Sequence, residues 1–161
     1  MNYKIRGFEP VQKDKQEISM LTTQLPFHGT KNSGGYDFYS KEEVMLAPGA
    51  KHRFSTDVKV YMGANEVLKV YTRSSIGMKK GLKMTNGVGI IDSDYYGNSD
   101  NDGNILIELE NTSDKPQSIE VGERIAQGIF MIRLEADKGT YSIPKWEDYV
   151  RTGGVGHTGK K

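Results

Sequence analysis

Cysteine is absent from the sequence, which excludes disulfide bonds, thiolate nucleophiles and zinc sites built from cysteine. Long apolar runs are lacking as well, since no stretch approaches the roughly 20 apolar residues that a membrane-spanning helix needs. The first six residues carry no apolar core of a secretory signal. Together these absences predict a cytoplasmic protein.

A surplus of charge of one sign is also missing, because 22 Lys and Arg residues oppose 21 Asp and Glu residues and the formal net charge is +1. No global field attracts nucleic acid or a membrane surface, so neither is expected as a partner. Any phosphate chemistry must therefore come from basic groups placed locally. His28, His52 and His157 are too scattered for a metal cluster, so no metal bound directly by protein side chains is expected.

The length of 161 residues fits one domain with a single modest core. Apolar residues make up 35% of the chain, which is lean and suggests additional burial between subunits. These residues recur mostly with period two, and turn signals separate the runs. The pattern predicts an all-β sandwich or barrel, with strands over 54–62, 67–72, 105–110 and 125–132, the last buried on both faces, and an early strand near Tyr3 to Ile5.

Helix is scarce in the predicted structure. One short helix is expected over Ser74 to Lys80, with Ser74 or Ser75 as its N-cap and Gly81 as its end. Residues 6–23 carry no periodicity that assigns them an element or a role. Residues 1–150 are expected to form a single β-barrel domain, and the glycine-rich residues 151–161 a flexible C-terminal tail.

An arginine and two hydroxyl groups come together at the predicted helix start, in Arg73-Ser74-Ser75. A guanidinium beside free backbone N–H groups at a helix N-terminus can bind an anion. The alternative is that Ser74 only caps the helix and Arg73 is a surface charge.

Glycines flank an apolar strand that ends in carboxylates and tyrosines over residues 86–97. A hairpin at 87–91 would let the backbone approach a flat ring closely, with Asn86 adding side-chain hydrogen bonds. Asp92 at the strand end could deprotonate a water, and a neighbouring tyrosine could pack on a sugar. A plain hairpin with turn-forming aspartates is the alternative.

Three further segments each allow two interpretations. Gln127 lies in an apolar strand and requires a hydrogen-bond partner, either another subunit or a phosphate. Residues 151–159 combine an arginine, glycine N–H groups and a hydroxyl that could wrap a polyphosphate, or they form only a solvated end. The loop 98–103 partly matches a calcium-binding loop, but Asn98 and Leu109 stand where such a loop needs Asp and Glu. A surface turn or insertion is therefore predicted there.

Five segments follow the order of the five motifs of the trimeric dUTPase family, which the chain resembles from about residue 24 to its C-terminus. The segments are 34–40, 73–75, 89–97, 122–127 and 151–159, and the third is the most specific. The resemblance implies a jelly-roll-like β-barrel and a homotrimer whose active sites are each built from three subunits. It also implies hydrolysis of dUTP to dUMP and pyrophosphate, with Mg²⁺ held by the triphosphate and water. That reaction limits uracil incorporation into DNA and supplies dUMP.

The resemblance implies residue roles as well. Asp92 would be the catalytic carboxylate that deprotonates the water attacking the α-phosphorus, and Asp37 would support the water and metal region. Tyr95 would pack on deoxyribose and collide with a 2′-hydroxyl, while the hairpin would leave no room for a 5-methyl group. The other substrate-binding residues would be Arg73, Ser74, Ser75 and Gln127 for the phosphates, Asn86, Gly87, Ile90 and Ile91 for the uracil, and Arg151, Val155, Gly156 and Thr158 in the tail.

Two features depart from the family pattern. Val155 stands where the family usually has a phenylalanine that stacks on uracil, and loss of that stacking, worth roughly 1–3 kcal/mol, predicts weaker closure of the tail. The loop 98–103 is longer than in compact members. Some phage members carry an insertion here and some bind repressors, so the resemblance extends to a phage origin, a location in the host cytoplasm and a repressor protein as a partner.

Two other functions compete with dUTP hydrolysis. One is a non-catalytic regulatory binding protein on the same fold, against which the presence of both Asp92 and Arg73 argues. The other is a dCTP deaminase, which needs a glutamate beside the base that residues 91–95 do not supply.

Overall fold

The computed structural model describes residues 4–18, 22–137, 151, 153 and 154. These residues form twelve β-strands, one α-helix and two short 3-10 helices, at Lys13–Lys15 and Ser93–Tyr95. The strands and the helix are β1 Gly7–Pro10, β2 Phe27–His28, β3 Tyr36–Tyr39, β4 Val44–Leu46, β5 Lys51–Ser55, β6 Val58–Tyr61, β7 Glu66–Thr72, α1 Ser74–Lys80, β8 Leu82–Met84, β9 Val88–Asp92, β10 Leu106–Asn111, β11 Gln117–Ile119 and β12 Arg124–Ile132.

The strands pair antiparallel in four sheets. The largest sheet has five strands in the order β2-β3-β12-β7-β9, and the next has three in the order β5-β10-β8. Two pairs, β1-β6 and β11-β4, complete the fold. The prediction of an all-β chain with one short helix is confirmed.

One apolar core joins the sheets. Fully buried Phe38 and Leu68 of the five-stranded sheet belong to the same cluster as Ile107 of the three-stranded sheet. Along β10 the buried positions alternate with half-buried ones, as expected for a strand that packs one face on the core. The Phe8 ring meets the Phe38 ring edge to face at 5.6 Å, which attaches β1 to this core.

The strand predicted over 54–62 is wrong as a single element. The chain leaves the extended conformation at Asp57, whose φ is +53°, and the segment divides into β5 and β6. The alternation of polar and apolar residues did not mark a half-buried strand, because Asp57 and Lys59 are themselves buried. Both have charged partners, Lys41 and Asp102, and buried charges require such pairing.

The early strand lies further along the chain than predicted. It begins at Gly7, and neither Lys4 nor Ile5 belongs to a strand. Residues 12–15, which the sequence left without a role, contact the loop 98–103. The backbone N–H of Gln12 donates to the Asp102 carboxylate at 2.8 Å, and Lys15 Nζ donates to the carbonyls of Ser99 and Asp100 at 3.4 and 3.2 Å.

The helix prediction is confirmed from Ser74 to Lys80, and Gly81 ends the helix with φ +65°, the left-handed conformation that glycine adopts without strain. The predicted N-cap is wrong. Arg73 occupies the cap position, and no side chain caps the helix. In the part of the chain that the structure describes, no helix has the length and apolar character of a membrane span.

Strand β12 matches its prediction at one end only. Ile125 and Ala126 are fully buried, which agrees with burial on both faces. At the other end Met131 and Ile132 are 42% and 72% exposed. That apolar end remains uncovered in a single chain.

Candidate active site

A cationic cluster lies where β3, β12 and β7 run side by side. In the sheet register Gln127 is paired with Asp37 on one side and with Tyr71 on the other. The Asp37 carboxylate is almost fully buried, forms an ion pair with Arg73 Nε at 3.0 Å and accepts a hydrogen bond from an Arg124 terminal nitrogen at 3.4 Å. Two guanidinium groups share one carboxylate, so the cluster keeps a surplus of positive charge that suits phosphate.

Gln127 is packed closely in this cluster. A Cβ atom added at Gly35 would lie 2.9 Å from Gln127 Oε1, so a larger residue at this position would displace the Gln127 side chain. Arg124 is a member that the sequence did not single out, although it lies in the fourth predicted segment. Its contact with Asp37 joins residues far apart in sequence, and only the register of β3 against β12 reveals it.

A second cluster forms around the carboxylates that follow β9. Asp92 ends the strand and Asp94 lies in the 3-10 helix after it. One terminal nitrogen of Arg151 donates to Asp92 Oδ2 at 3.1 Å and to Asp94 Oδ1 at 3.3 Å. The two carboxylate side chains are 49% and 60% exposed, so both remain accessible to water.

Tyr95 lies between these carboxylates and the loop 98–103. Its ring is buried, and the Arg151 guanidinium lies 5.0 Å from the ring centroid. The hydroxyl donates to the Asn104 carbonyl at 2.9 Å and accepts from Asn101 Nδ2 at 2.8 Å. Burial raises the pKa of Tyr95, and the hydrogen bond from Asn101 and the charge of Arg151 oppose that rise only in part. The phenol therefore stays neutral near pH 7 and keeps its donor.

Strand β9 lies at the edge of the five-stranded sheet. It pairs with β7, and the structure describes no strand on its other side. Every second residue of an edge strand points its backbone N–H and C=O groups away from the sheet. The predicted hairpin at 87–91 is wrong, since β9 is a single strand and β8 before it belongs to the other large sheet. Among the described residues, the outer backbone groups of β9 have no neighbouring strand.

The residues predicted to read the uracil lie on this edge and the turn before it. Asn86 and Gly87 form the turn, in which Gly87 has φ +69° and donates its N–H to the Met84 carbonyl at 3.0 Å. Ile90 is exposed and Ile91 is half-buried. A cavity of about 460 Å³ next to the turn is lined by Arg53, Thr85, Asn86, Asp100, Asn101, Leu106 and Glu108.

Asp92 opens onto a different cavity. That space has a volume of about 350 Å³ and is lined by Ala64, Glu66, Asp92, Ser93, Asp94 and Arg133. Within the described residues, no group of three or more acidic or histidine side chains is placed to hold a metal ion.

The loop 98–103 is more than a surface turn. Asn98 and Asp102 are buried, and Asp102 accepts from Lys59 Nζ at 2.8 Å. Gly103 lies so close to the backbone that a Cβ atom there would be 2.8 Å from the Tyr95 carbonyl oxygen. The predicted surface turn is confirmed at Ser99 and Asp100, which are exposed, whereas half of the loop is anchored in the fold.

The tail is described only at Arg151, Gly153 and Gly154. Gly154 is buried, and a Cβ atom there would lie 2.8 Å from Asp100 Oδ2. The predicted contacts of Val155, Gly156 and Thr158 lie outside the described residues.

One chain does not bring the two clusters together. Asp92 pairs with Val67 at one end of β7, whereas Arg73, Ser74 and Ser75 follow Thr72 at the other end. Five residues of strand at about 3.4 Å each separate the two ends by about 17 Å. Asp37, Arg73 and Gln127 form one group, and Asp92, Tyr95 and Arg151 form another.

A dUTPase family model matches residues 22–159. The chain belongs to the dUTPase family. It is 46% identical to the deoxyuridine 5′-triphosphate nucleotidohydrolase of Lactococcus lactis over 156 residues, which cover 97% of this chain and 99% of that protein. The enzyme of the same description from Actinobacillus pleuropneumoniae is 36% identical, with 85% and 88% covered.

Solved dUTPase structures share the fold. The crystal structure of the Streptococcus mutans dUTPase superposes with a TM-score of 0.71 at 40% identity, covering 81% of this chain and 98% of that one. The dUTPase of Staphylococcus bacteriophage 80alpha, at 22% identity and a TM-score of 0.68 over 89% of this chain and 99% of that one, is similar in fold. The jelly-roll-like fold and the activity expected from the resemblance are confirmed: this dUTPase is a hydrolase of dUTP, a dUTP diphosphatase.

Proposed function

We propose that Asp92 is the general base of dUTP hydrolysis, which activates the water that attacks the α-phosphorus and releases dUMP and pyrophosphate. The observation that supports this assignment is the position of Asp92 at the end of an edge strand, about half exposed and bonded to Arg151. An ionised carboxylate accepts several hydrogen bonds. Asp92 can therefore hold the guanidinium and a water at the same time.

The open edge of β9 is proposed to read the uracil. Uracil alternates acceptor, donor and acceptor along O2, N3–H and O4, and an edge strand offers complementary backbone groups. Cytosine reverses the donor and acceptor at two of these positions and would leave backbone groups unpaired. Asn86 and Gly87 would contact the ring from the turn, Ile90 and Ile91 from the strand, and Tyr95 would pack on the deoxyribose.

The phosphates are proposed to bind to the cationic cluster of another subunit. Arg73, Ser74, Ser75 and Gln127 would hold them, joined by Arg124, and Asp37 would orient the two arginines. Because about 17 Å of strand separates this cluster from Asp92 within one chain, a dUTP molecule that contacts both requires a second copy. A closed homotrimer supplies that copy at every site, and the exposed apolar end of β12 offers surface for the contact.

Magnesium is proposed to arrive with the substrate. Mg²⁺ prefers phosphate oxygens and water to an all-protein site, which suits a chain whose described residues form no metal-binding cluster. Bound to the triphosphate, the ion would neutralise charge that develops on the phosphates. Asp92 would then be needed to activate the water and not to hold the metal ion.

Pyrophosphate release with Mg²⁺ tests the proposed activity directly. We expect release from dUTP, little release from dCTP, dTTP or UTP, and a stop on addition of EDTA. Ammonia release from dCTP would instead indicate a deaminase. Failure to release pyrophosphate from any of the four nucleotides would contradict the enzyme assignment and favour a binding protein.

Active sites shared between subunits predict complementation between two inactive variants. Arg73→Ala and Asp92→Asn chains, co-expressed with different tags and isolated as mixed trimers, should regain activity. In each mixed trimer about one site in three receives an intact Arg73 from one subunit and an intact Asp92 from its neighbour. Mixed trimers as inactive as either parent would indicate sites built within one chain.

Two expectations from the sequence stay predictions: a cytoplasmic location and a repressor partner at the loop 98–103. Deleting the loop would also remove the buried Asp102 that binds Lys59. Ser99→Ala instead changes an exposed position of the loop that lines neither of the two cavities. Loss of repressor binding in this variant, with dUTP hydrolysis retained, is the result that would support such a partner.

A further inference from the structure

We propose that Asn101 is a positioning residue that fixes Tyr95 against the deoxyribose, so that the loop 98–103 takes part in selecting deoxyribonucleotides over ribonucleotides. The inference rests on the proposed function of Tyr95 as the surface that a 2′-hydroxyl would strike. It assigns to the loop a role in the known reaction, separate from any protein partner.

The contacts of the Tyr95 hydroxyl carry the inference. Asn101 Nδ2 donates to this hydroxyl at 2.8 Å and also reaches the Asn104 carbonyl at 3.2 Å. The hydroxyl in turn donates to the same Asn104 carbonyl at 2.9 Å. Three groups thus close a ring of hydrogen bonds around a buried phenol, and loss of one member leaves a buried polar group unsatisfied.

The orientation of the Asn101 amide is determined by its own partners. Its Oδ1 accepts from Asn98 Nδ2 at 2.9 Å and from the Gly103 N–H at 3.1 Å. Because both donors require the oxygen on that side, the NH₂ group must face Tyr95. Asn98 Oδ1 in turn accepts the N–H groups of residues 100 and 101, both at 3.1 Å.

The loop is anchored firmly enough to transmit this orientation. Asp102 is held by Lys59 and by the Gln12 N–H, both at 2.8 Å, and Gly103 packs against the Tyr95 carbonyl. The ring is therefore braced at its hydroxyl by Asn101 and at its backbone by Gly103. The Arg151 guanidinium lies over one face of the ring. If Arg151 moved away to bind a phosphate, that face would become available to the sugar.

A ring held in this way excludes a 2′-hydroxyl by contact, and such exclusion depends on position. A shift of about 1 Å in a positioning group can change rates up to about a hundredfold. Loss of the hydrogen bond from Asn101 to the Tyr95 hydroxyl should therefore affect sugar binding more than the chemical step, which depends on Asp92. We expect a higher KM for dUTP, a smaller change in kcat and weaker discrimination against UTP.

Two variants and a double-mutant cycle test the inference. Asn101→Ala removes all the side-chain bonds. Asn101→Asp keeps the shape and the acceptor for Asn98 and Gly103, removes the NH₂ donor to Tyr95 and to the Asn104 carbonyl, and adds a negative charge. Each should lower the ratio of kcat/KM for dUTP to that for UTP by about tenfold. Asn32→Ala, in a surface turn between β2 and β3, is the matched control and should leave the ratio unchanged.

The cycle uses Tyr95→Phe, which removes the hydroxyl and keeps the ring. If Asn101 acts through that hydroxyl, Asn101→Asp should cause no further loss of discrimination in the Tyr95→Phe background. If the two substitutions lowered the dUTP-to-UTP ratio independently, so that their effects multiplied, the inference would be wrong. It would also be wrong if both Asn101 variants kept the wild-type ratio and the wild-type melting temperature. Absence of dUTP hydrolysis in the wild-type protein would overturn the proposed function itself, and the inference with it.

Discussion

Asp92→Asn is expected to lower kcat for dUTP by about 10²–10⁴-fold, the contribution that a positioned general base makes. Asparagine has the same shape and can still accept a hydrogen bond from Arg151, but it cannot take a proton from water. KM should change little, because no proposed contact with the base, the sugar or the phosphates is removed. Initial rates of pyrophosphate release over a range of dUTP concentrations separate the two constants.

Asp94→Asn is the matched control for this prediction. Asp94 lies two residues further on, is exposed to a similar degree and bonds to the same nitrogen of Arg151. Its loss should lower kcat by less than about tenfold if it only helps to place the arginine. Equal losses in the two variants would assign the effect to the charge of the cluster rather than to a base at Asp92. An Asp92→Asn enzyme within tenfold of wild type would exclude Asp92 as the base.

The sequence predicts well those features that depend on neighbouring residues. Strand β7, strand β10 and the helix α1 follow from local periodicity and from Gly81 as a helix end. The segments around Arg73 and Asp92 also stand out locally, because each gathers polar groups at the end of an apolar run. For these elements, local composition and the final structure agree.

Features that depend on pairing between distant residues could not be predicted. The period-two pattern over 54–62 is the same for a half-buried strand as for two strands divided by a buried aspartate, and only Lys41 and Asn104, distant in sequence, decide between them. Pairing between distant residues also determines the contact of Arg124 with Asp37. It likewise determines where the chain passes from one sheet to another, between β8 and β9. Sheet register is set by the whole fold, and a single sequence does not display it.

The separation of the two clusters in one chain also follows from the strand arrangement. Asp92 and Arg73 are close in sequence, which suggests one site, yet they lie at opposite ends of β7. A strand rises about 3.4 Å per residue, so the two ends of β7 lie about 17 Å apart. A phosphate bound at Arg73 is therefore too far from Asp92 of the same chain to react there. The resemblance to trimeric enzymes supplied the expectation of shared sites, and the strand geometry gives it a physical reason.

The largest expected effect on stability belongs to Asp57, which is fully buried. Its carboxylate forms an ion pair with Lys41 and accepts from Ser55 Oγ at 2.8 Å, from the Glu17 N–H at 3.0 Å and from Asn104 Nδ2 at 3.1 Å. Burial alone would raise the pKa of Asp57, but the hydrogen bonds from Lys41, Ser55 and Glu17 outweigh it and lower the pKa below its usual value. The stabilisation is therefore complete above the unfolded-state pKa of about 4 and is lost as the pH falls through the lower pKa of the folded protein.

Asp57→Asn should lower the free energy of unfolding by about 3–5 kcal/mol, because it leaves the buried Lys41 ammonium without a counter-charge. Asparagine tolerates the positive φ at this position, so the loss reports charge and not backbone strain. Equilibrium urea denaturation near pH 7, at one fixed protein concentration because the protein is proposed to be a trimer, measures the change.

Two further variants decide whether burial of the pair is the cause. Glu135→Gln breaks a half-exposed pair with Arg133, and solvent-exposed pairs contribute only about 0–1 kcal/mol. The double variant Lys41→Met/Asp57→Asn removes both buried charges and should be less destabilised than the sum of its single changes. Should Asp57→Asn cost no more than Glu135→Gln, the buried network would not be the main support of the turn between β5 and β6. In that case the packing of Thr56 and Val58 against the core would be sufficient to hold this part of the fold.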